Sequence, residues 1–354
     1  MRNVLIDNMC QLAAYVGDRE IAPLLLNSLK YQEPYFGAHA TGIGVLKGDS
    51  IEVVKAPGHV EHVKKNTKIT DLKGTCAIAH SRYNNDAKVD PRYNTAGMAH
   101  PFLSEDGKLA LMHNGGISNY KEHWARLRKN HTFSSYSEEV DNITDSEVAI
   151  HDLNDRVSEG KTIGDSLKSM ASTYTGAFLL AAISVDEPDT IYIANWHQPC
   201  YIAVGDDEAM FVSSYPSLYD VRDEMSSIFQ PPKNSLIKLT REGVEVSLLD
   251  ANRVVPQLKL DFNLLGDIIM DILRENGRRD FRELWYDLNP NGWAEAYGLS
   301  ARDWGGLRRD GVSIVNPFID VIEMLKNDEL VTESIDPRVE GGVDGTPRFS
   351  YVLA

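Results

Sequence analysis

The chain has 354 residues, 42% of them hydrophobic and 25% charged, with a formal net charge of -16. That is room for two domains of ordinary globular composition, with no apolar run long enough to span a bilayer. The negative charge argues against general affinity for nucleic acid or anionic membranes, which needs positive charge facing phosphate.

The chain opens on MRNVLIDNM, which has one basic residue and no apolar stretch, so it is not a secretory signal. Hydrophobic periodicity then predicts a strand at Cys10–Val16, an amphipathic helix at Ile21–Lys30, and strands at Thr41–Leu46, Ile51–Lys55, Thr75–Ser81 and Lys108–His113. Helices are predicted at Asn119–Arg128, Asp145–Val157 and Thr162–Tyr174, with Thr144 or Asp145 as a cap for the second. Six further strands are predicted: Ala177–Ser184, Thr190–Asn195, Tyr201–Gly205, Ala209–Ser213, Ser235–Leu239 and Val244–Leu248. Two groups of strands around a block of helices fit two packed sheets with helices outside, as well as other α+β layouts. From about Leu258 the pattern becomes helical (Phe262–Asn276, Phe281–Leu288, Pro317–Lys326) and closes on two short strands, Leu330–Glu333 and Arg348–Leu353. These strands are joined by a loop carrying Gly341, Gly342 and Gly345. Three helices and a hairpin outline a winged-helix module.

Three cysteines, Cys10, Cys76 and Cys200, are too few and too scattered for a disulfide framework and point to a reducing, cytoplasmic setting. Four segments concentrate reactive side chains: Met9-Cys10-Gln11 before a strand, His80-Ser81-Arg82-Tyr83 at a strand end, His113-Asn114-Gly115-Gly116 where a strand is expected to break into a helix, and Thr144-Asp145-Ser146-Glu147 at a helix start. A cysteine freed of a preceding peptide exposes an α-amine, with an ordinary pKa of about 8, that can serve as base for its own thiol. An arginine can hold a carboxylate through two parallel hydrogen bonds. An Asn-Gly pair offers a side-chain and a backbone N–H for an oxyanion, and an aspartate at a helix start can fix an ammonium. An amino-acid substrate needs those four receptors.

In this order the segments resemble the class II glutamine amidotransferase domain, found in glucosamine-6-phosphate synthase, amidophosphoribosyltransferase, asparagine synthetase and glutamate synthase. The resemblance runs from Cys10 to about Leu249, and His113–Asn119 is its most specific element. His100-Pro101 falls where that family has a His-Pro pair, and Pro199–Gly205 with Phe211–Ser214 resemble its two closing strands. The resemblance implies an α+β fold, the four-layer αββα sandwich of N-terminal-nucleophile hydrolases, over residues 10–250. A removable leader (1–9) precedes it and a small winged-helix-like α/β module (258–354) follows. It implies that Cys10 attacks the glutamine side-chain amide, that Asn114 and the Gly115 N–H bind the oxyanion, and that Arg82 and Asp145 bind the α-carboxylate and α-ammonium. Tyr83 and His100 complete the implied substrate site. No metal or organic cofactor is implied.

Some positions depart from the family pattern. Gln11 stands where Gly is usual, Asn84-Asn85-Asp86 follow Tyr83 in place of a Thr, and Phe36-Gly37-Ala38-His39 replaces an Arg-Gly-x-Asp/Glu run. These departures motivate a second reading, an N-terminal-cysteine amidase acting on another amide. A third is a catalytically silent glutamine sensor whose C-terminal part contacts a regulator or nucleic acid. Either Met9 is the true start, its removal baring Cys10, or MRNVLIDNM is a propeptide. The stretch after Leu249, about 100 residues, is short for a synthase domain, so ammonia would pass to a partner enzyme on another chain, or to none; self-association into a homo-oligomer stays open.

Blander readings stand beside these. Cys76 and Cys200 read as small buried hydrophobes. His80, His100 and His113 lack a tight metal-ligand spacing and read as satisfied packing histidines. Arg82 and Asp145 could instead form a structural ion pair. In the tail, Arg278, Arg279, Arg282, Arg302, Arg308 and Arg309 could touch phosphates, but residues 261–354 hold 10 basic against 18 acidic side chains, so a protein contact is the expected use.

Overall fold

The computed structural model of the protein describes residues 10–309 and 315–354. The expected leader lies outside the described residues. In chain order the first part comprises β1 (Gln11–Val16), α1 (Ile21–Phe36), β2 (Ala40–Lys47), β3 (Ser50–Pro57), α2 (Val60–Asn66), β4 (Cys76–Arg82), α3 (Asn85–Val89), β5 (Phe102–Leu103), β6 (Leu109–Ile117), α4 (Tyr120–Leu127), α5 (Asp145–Ser158) and α6 (Ile163–Ala171). It continues with β7 (Gly176–Ser184), β8 (Glu187–Trp196), β9 (Tyr201–Val204), β10 (Ala209–Val212), β11 (Ser227–Phe229), β12 (Ser235–Thr240) and β13 (Gly243–Leu248).

These strands form two antiparallel sheets, in the orders β11-β9-β10-β1-β4-β2-β3 and β13-β12-β8-β7-β6-β5. Alternation along each strand sends one set of side chains between the sheets and the other outward. Leu12, Ala14 and Val16 of β1 and Ile78 of β4 meet Met112 of β6, Leu179 of β7 and Ile193 of β8 in one buried cluster. On the far face of the first sheet, Ala13 and Tyr15 pack under Leu25 and Leu29 of α1 and Val63 of α2. On the far face of the second, Leu180 and Ala182 pack under Ile150 of α5 and Leu167 of α6. The two packed sheets with helices outside are therefore present.

Several elements outrun their sequence expectations. The β6 strand does not break after His113: it pairs with β7 from Leu109↔Ser184 to Ile117↔Gly176. Gly115 keeps it going, with φ +104° and a Cα so close to β7 that any Cβ would stand 2.1 Å from the Ala177 carbonyl oxygen. The α1 helix passes the expected end at Lys30, runs through Pro34 and stops at Phe36 before Gly37. Its last turn is held by tertiary packing, since Tyr35 and Phe36 belong to the core of the C-terminal module.

That module contains α7 (Phe262–Asn276), β14 (Arg279–Asp280), α8 (Phe281–Asp287), α9 (Asn291–Ala296), α10 (Ala301–Arg309), α11 (Val315–Asn327), β15 (Val331–Glu340) and β16 (Val343–Leu353). The expectation of three helices is corrected to five among the described residues. The α9 and α10 segments are short and polar, and they are helical because Trp293, Ala294, Ala296 and Trp304 are buried in an aromatic core with Trp285 and Phe318. The hairpin strands are also longer than expected, turning at Gly341-Gly342 with Gly345 inside β16, and the sheet order is β14-β16-β15. A reciprocal capping box between Asp280 and Glu283 starts α8, an arrangement that contributes about 1 kcal/mol. Among the described residues, no helix is long and apolar enough to cross a membrane.

Candidate active site

Cys10 stands immediately before β1, whose neighbours in the sheet are β10 and β4. The register pairs Gln11 with Ser81, so Cys10 sits beside the end of β4, where Arg82 and Tyr83 leave the strand. Its backbone N–H donates to Asn114 Oδ1 at 3.1 Å, reaching across to β6 of the other sheet. Its thiol donates to the Tyr83 carbonyl at 3.6 Å. Burial pushes the thiol up to about 11, against the opposing pull of the Tyr83 hydrogen bond and the Arg82 charge.

A cavity of about 180 Å³ opens on Cys10 and is lined by Arg82, Tyr83, His100, Gly115 and Asp145, with Asn84, Asp86, His113, Tyr120, Asn142–Thr144 and Ser146 around them. Arg82 is buried and donates from Nη1 to the Tyr93 carbonyl at 3.0 Å. Asp145 begins α5, where Thr144 is the cap and accepts from the Glu147 N–H. Asp145 Oδ2 accepts from the Ile117 N–H at 2.9 Å and Oδ1 from the Ser146 hydroxyl at 3.1 Å, with His113 Nδ1 3.4 Å from Oδ1. Burial disfavours its charge, but His113 and these donors outweigh that and hold the carboxyl below its ordinary range. Arg82 and Asp145 thus have separate partners; among the described residues no ion pair joins them.

The three histidines are buried together at the cavity, with His100 and His113 on its wall and His80 behind them. His80 Nε2 lies 3.0 Å from the His113 carbonyl, and His113 Nδ1 lies 3.0 Å from the Ser146 hydroxyl. The His100 ring stacks on His80 at 3.9 Å. His80 and His113 each have a partner on one ring nitrogen only; His80 Nδ1, His113 Nε2 and both nitrogens of His100 are buried without one among the described residues, so the expectation of satisfied histidines is met in part. Burial pushes His80 down to about 3 and His100 well below its ordinary value, which favours the neutral ring in both.

All seven residues singled out from sequence therefore meet: Asn114 on the Cys10 nitrogen, and the other six on the cavity wall. Tyr83 contributes its carbonyl to Cys10, while its ring packs on His39 at 4.5 Å and under the guanidinium of Arg282 at 4.2 Å. Sequence reasoning missed Ser146 and Asn142. Ser146 lies inside the Asp-Ser-Glu motif and was legible there as a neighbour of Asp145; Asn142 sits in an irregular loop with no signal. The departures Asn84 and Asp86 also reach the cavity. Cys76 and Cys200 are buried, and burial raises both thiols.

The glutamine amidotransferase domain family model matches residues 87–220. Among curated proteins, the glutamine–fructose-6-phosphate aminotransferase [isomerizing] of Chlorobaculum tepidum is 34% identical over 263 residues, 72% of this chain and 40% of that protein. The corresponding protein of Thermococcus kodakarensis is 27% identical over 248 residues, 70% of this chain and 38% of that protein. The chain thus spans about two fifths of the length of the curated relatives it matches. Among solved structures, the glutamine phosphoribosylpyrophosphate amidotransferase of B. subtilis has a similar fold, with a TM-score of 0.57 at 19% identity over 82% of this chain and 64% of that one. The chain carries a class II glutamine amidotransferase domain.

Proposed function

We propose that residues 10–250 form the four-layer αββα sandwich of an N-terminal-nucleophile hydrolase and release ammonia from the side-chain amide of glutamine, with Cys10 as nucleophile once its α-amine is free. The observation that carries this reading is the meeting of the Cys10 nitrogen with Asn114 Oδ1 at 3.1 Å beside a cavity that also holds Arg82 and Asp145. A thiol pushed up to about 11 by burial needs a base in contact with it, and the nearest nitrogen is its own.

The thiol proton passes to the α-amine as sulfur bonds to the amide carbon, and the carbonyl π pair moves onto oxygen. With Asn114 Oδ1 engaged by Cys10, the donor end of that amide is left for the oxyanion, joined by the Gly115 N–H. Collapse breaks the C–N bond; the leaving nitrogen takes the proton from the α-ammonium and departs as ammonia, leaving a γ-glutamyl thioester. The freed amine then takes a proton from water, whose oxygen attacks the thioester and gives glutamate and the thiol. Arg82 holds the α-carboxylate and Asp145 the α-ammonium; Tyr83 and His100 shape the wall. The ammonia acceptor is a partner enzyme. Residues 258–354 make a winged-helix-like module, read as protein-facing because its acidic side chains outnumber its basic ones and Arg278 and Arg279 are engaged within the chain, with Asp336 and Asp287.

Intact-mass and peptide mapping test this. Active protein begins at Cys10, and a glutamine-mimicking diazoketone labels Cys10 but not Cys76 or Cys200. Full activity with Met1–Met9 attached overturns the mechanism. The presence of Asn84 and Asp86 on the cavity wall favours a second reading, an amidase for another amide. A substrate screen in which free glutamine is not preferred decides for it.

A further inference from the structure

The hairpin of the C-terminal module reaches the back of the site. Glu340 and Arg348, on its two strands, are 4% and 1% exposed. Arg348 Nη2 lies 3.0 Å from both Glu340 carboxylate oxygens. Glu340 Oε2 is 3.6 Å from His39 Nε2, and His39 Nδ1 accepts from the Asn84 N–H at 3.2 Å, so Nε2 is the N–H end that faces Glu340. At the turn, the Gly341 carbonyl accepts from Asn94 Nδ2 at 2.9 Å, and the same amide donates to the His39 carbonyl at 2.7 Å. Gly37 leaves room for this contact: a Cβ there would stand 2.8 Å from Arg348 Cζ and from Glu340 Oε2. The Gly37 carbonyl in turn accepts from the Gln11 side chain at 3.2 Å, next to Cys10. From α8, Arg282 donates to Asn85 Oδ1 at 3.0 Å and lies over the Tyr83 ring, with Arg348 5.1 Å from the same ring.

The module therefore grips both segments that flank Cys10: residues 36–39, and residues 83–94 with the two carbonyls that touch Cys10 and Arg82. A buried ion pair is weak evidence for stability, because desolvation of its charges offsets their attraction. What such a pair supplies here is direction, since a guanidinium facing a carboxylate fixes the hairpin against His39 and Tyr83 to within a hydrogen bond. None of Glu340, Arg348 and Arg282 lines the cavity, so any effect on chemistry runs through Tyr83, Tyr93 and His39.

We infer that Glu340, Arg348 and Arg282 are positioning residues for the glutamine site, holding the Tyr83 carbonyl beside Cys10 and the Tyr93 carbonyl beside Arg82. This rests on the glutaminase reading for its substrate. The module is then a working wall of the site, and the residues Phe36–His39 and Asn84–Asp86, which depart from the family pattern, are the surfaces on which it seats.

The test uses the full chain with Glu340→Gln, Arg282→Met and Arg282→Lys. Glutamine kinetics, thermal midpoints and the rate at which iodoacetamide alkylates Cys10, followed by peptide mapping, are measured for each. Displacing a positioned group by an ångström can cost about a hundredfold. Glu340→Gln therefore raises KM for glutamine by about tenfold to a hundredfold, with a smaller fall in kcat. Arg282→Met, which leaves the hairpin pair intact, raises KM by about tenfold, and Arg282→Lys, which restores a cation over Tyr83, recovers part of it. The Cys10 alkylation rate shifts by at least about threefold in Glu340→Gln and Arg282→Met. Wild-type KM and alkylation rate in folded Arg282→Met and Glu340→Gln overturn the inference; if Glu340→Gln does not fold, Arg282→Met decides alone. If the wild type turns over no glutamine, the glutaminase reading fails. The alkylation rates then decide the positioning role by themselves: shifted rates support it and unchanged rates overturn it.

Discussion

The two halves of this protein bury different things. Between the sheets of residues 10–250 the packing is mostly aliphatic, with Leu12, Ile78, Leu179 and Ile193 meeting across the gap. Around the start of β1, the end of β4 and the middle of β6 that packing gives way to buried polar groups: His80, Arg82, His100, His113 and Asn114. The C-terminal module is centred instead on aromatic rings, with Trp285, Trp293, Trp304, Phe281 and Phe318 in one cluster. Its buried ion pair, Glu340 with Arg348, is pushed out along the hairpin toward the other half. In residues 10–250 the paired sheets leave a slot, and polar groups of facing strands meet across it: the Cys10 N–H with Asn114 Oδ1 and His80 Nε2 with the His113 carbonyl. The module, packed on aromatic rings, offers its polar contacts to the other half from the hairpin and from Arg282 of α8.

If the slot carries the chemistry and the aromatic core carries only support, mutations should separate cleanly. The largest effect is expected at Cys10: Cys10→Ala abolishes ammonia release from glutamine while the thermal midpoint stays near wild type, and residual turnover above background would remove Cys10 from the mechanism. Next is the oxyanion contact. Asn114→Ala is expected to lower kcat by about a hundredfold to a thousandfold with KM little changed, in steady-state kinetics. Arg82→Ala should do the reverse, raising KM because the carboxylate is held in ground and transition states alike; an unchanged KM would make Arg82 structural. In the module, Trp293→Ala removes a fully buried indole and should cost about 3–5 kcal/mol in denaturant unfolding. A loss of kcat with no loss of stability would contradict the division of labour.

The smallest effect concerns α1, which belongs to both halves. Glu33 is buried there, accepting from the Val60 N–H and the Ser81 hydroxyl through Oε1, and burial raises its carboxyl from 4.5 to about 8. Because the folded state binds this proton more tightly than the unfolded chain, its contribution is fully present below pH 4.5 and fades as pH rises to about 8. The isosteric Glu33→Gln keeps the acceptor and cannot ionise. Its thermal midpoint relative to wild type should climb across that window and level off above it; a flat difference would mean that Glu33 is ionised throughout.

How far these features could be read in advance follows from where each is encoded. Cys10, Arg82 and Asp145 sit at strand ends or a helix start and Asn114 lies within β6, each inside a local motif, so the sequence shows their chemistry and their approximate location. Most strands of both sheets are likewise local, since alternation marks them within a few residues; the short edge strands β5 and β11, of two and three residues, are too brief to show it and are not among the expected strands. What escaped was encoded at a distance. The unbroken run of β6 depends on Gly115 lying against Ala177 of β7, and the last turn of α1 depends on Phe281 and Phe349, which pack on Tyr35. Glu340 and Arg348 look in sequence like ordinary solvated charges flanking a glycine turn. Only the contacts with Gly37, His39 and Tyr83 distinguish them.

The end of α1 has a consequence for synthesis. Tyr35 and Phe36 are made early, but the rings that bury them, Phe281 and Phe349 among others, leave the ribosome only after most of the chain has followed. At ordinary rates of translation the interval is roughly 15–60 seconds. Even in its last part, once β13 has been made and both sheets can pair, the nascent chain still displays two aromatic side chains to the solvent. Chaperones that bind exposed rings have that window in which to act, and a ribosome stalled between the two halves would leave a species prone to aggregate.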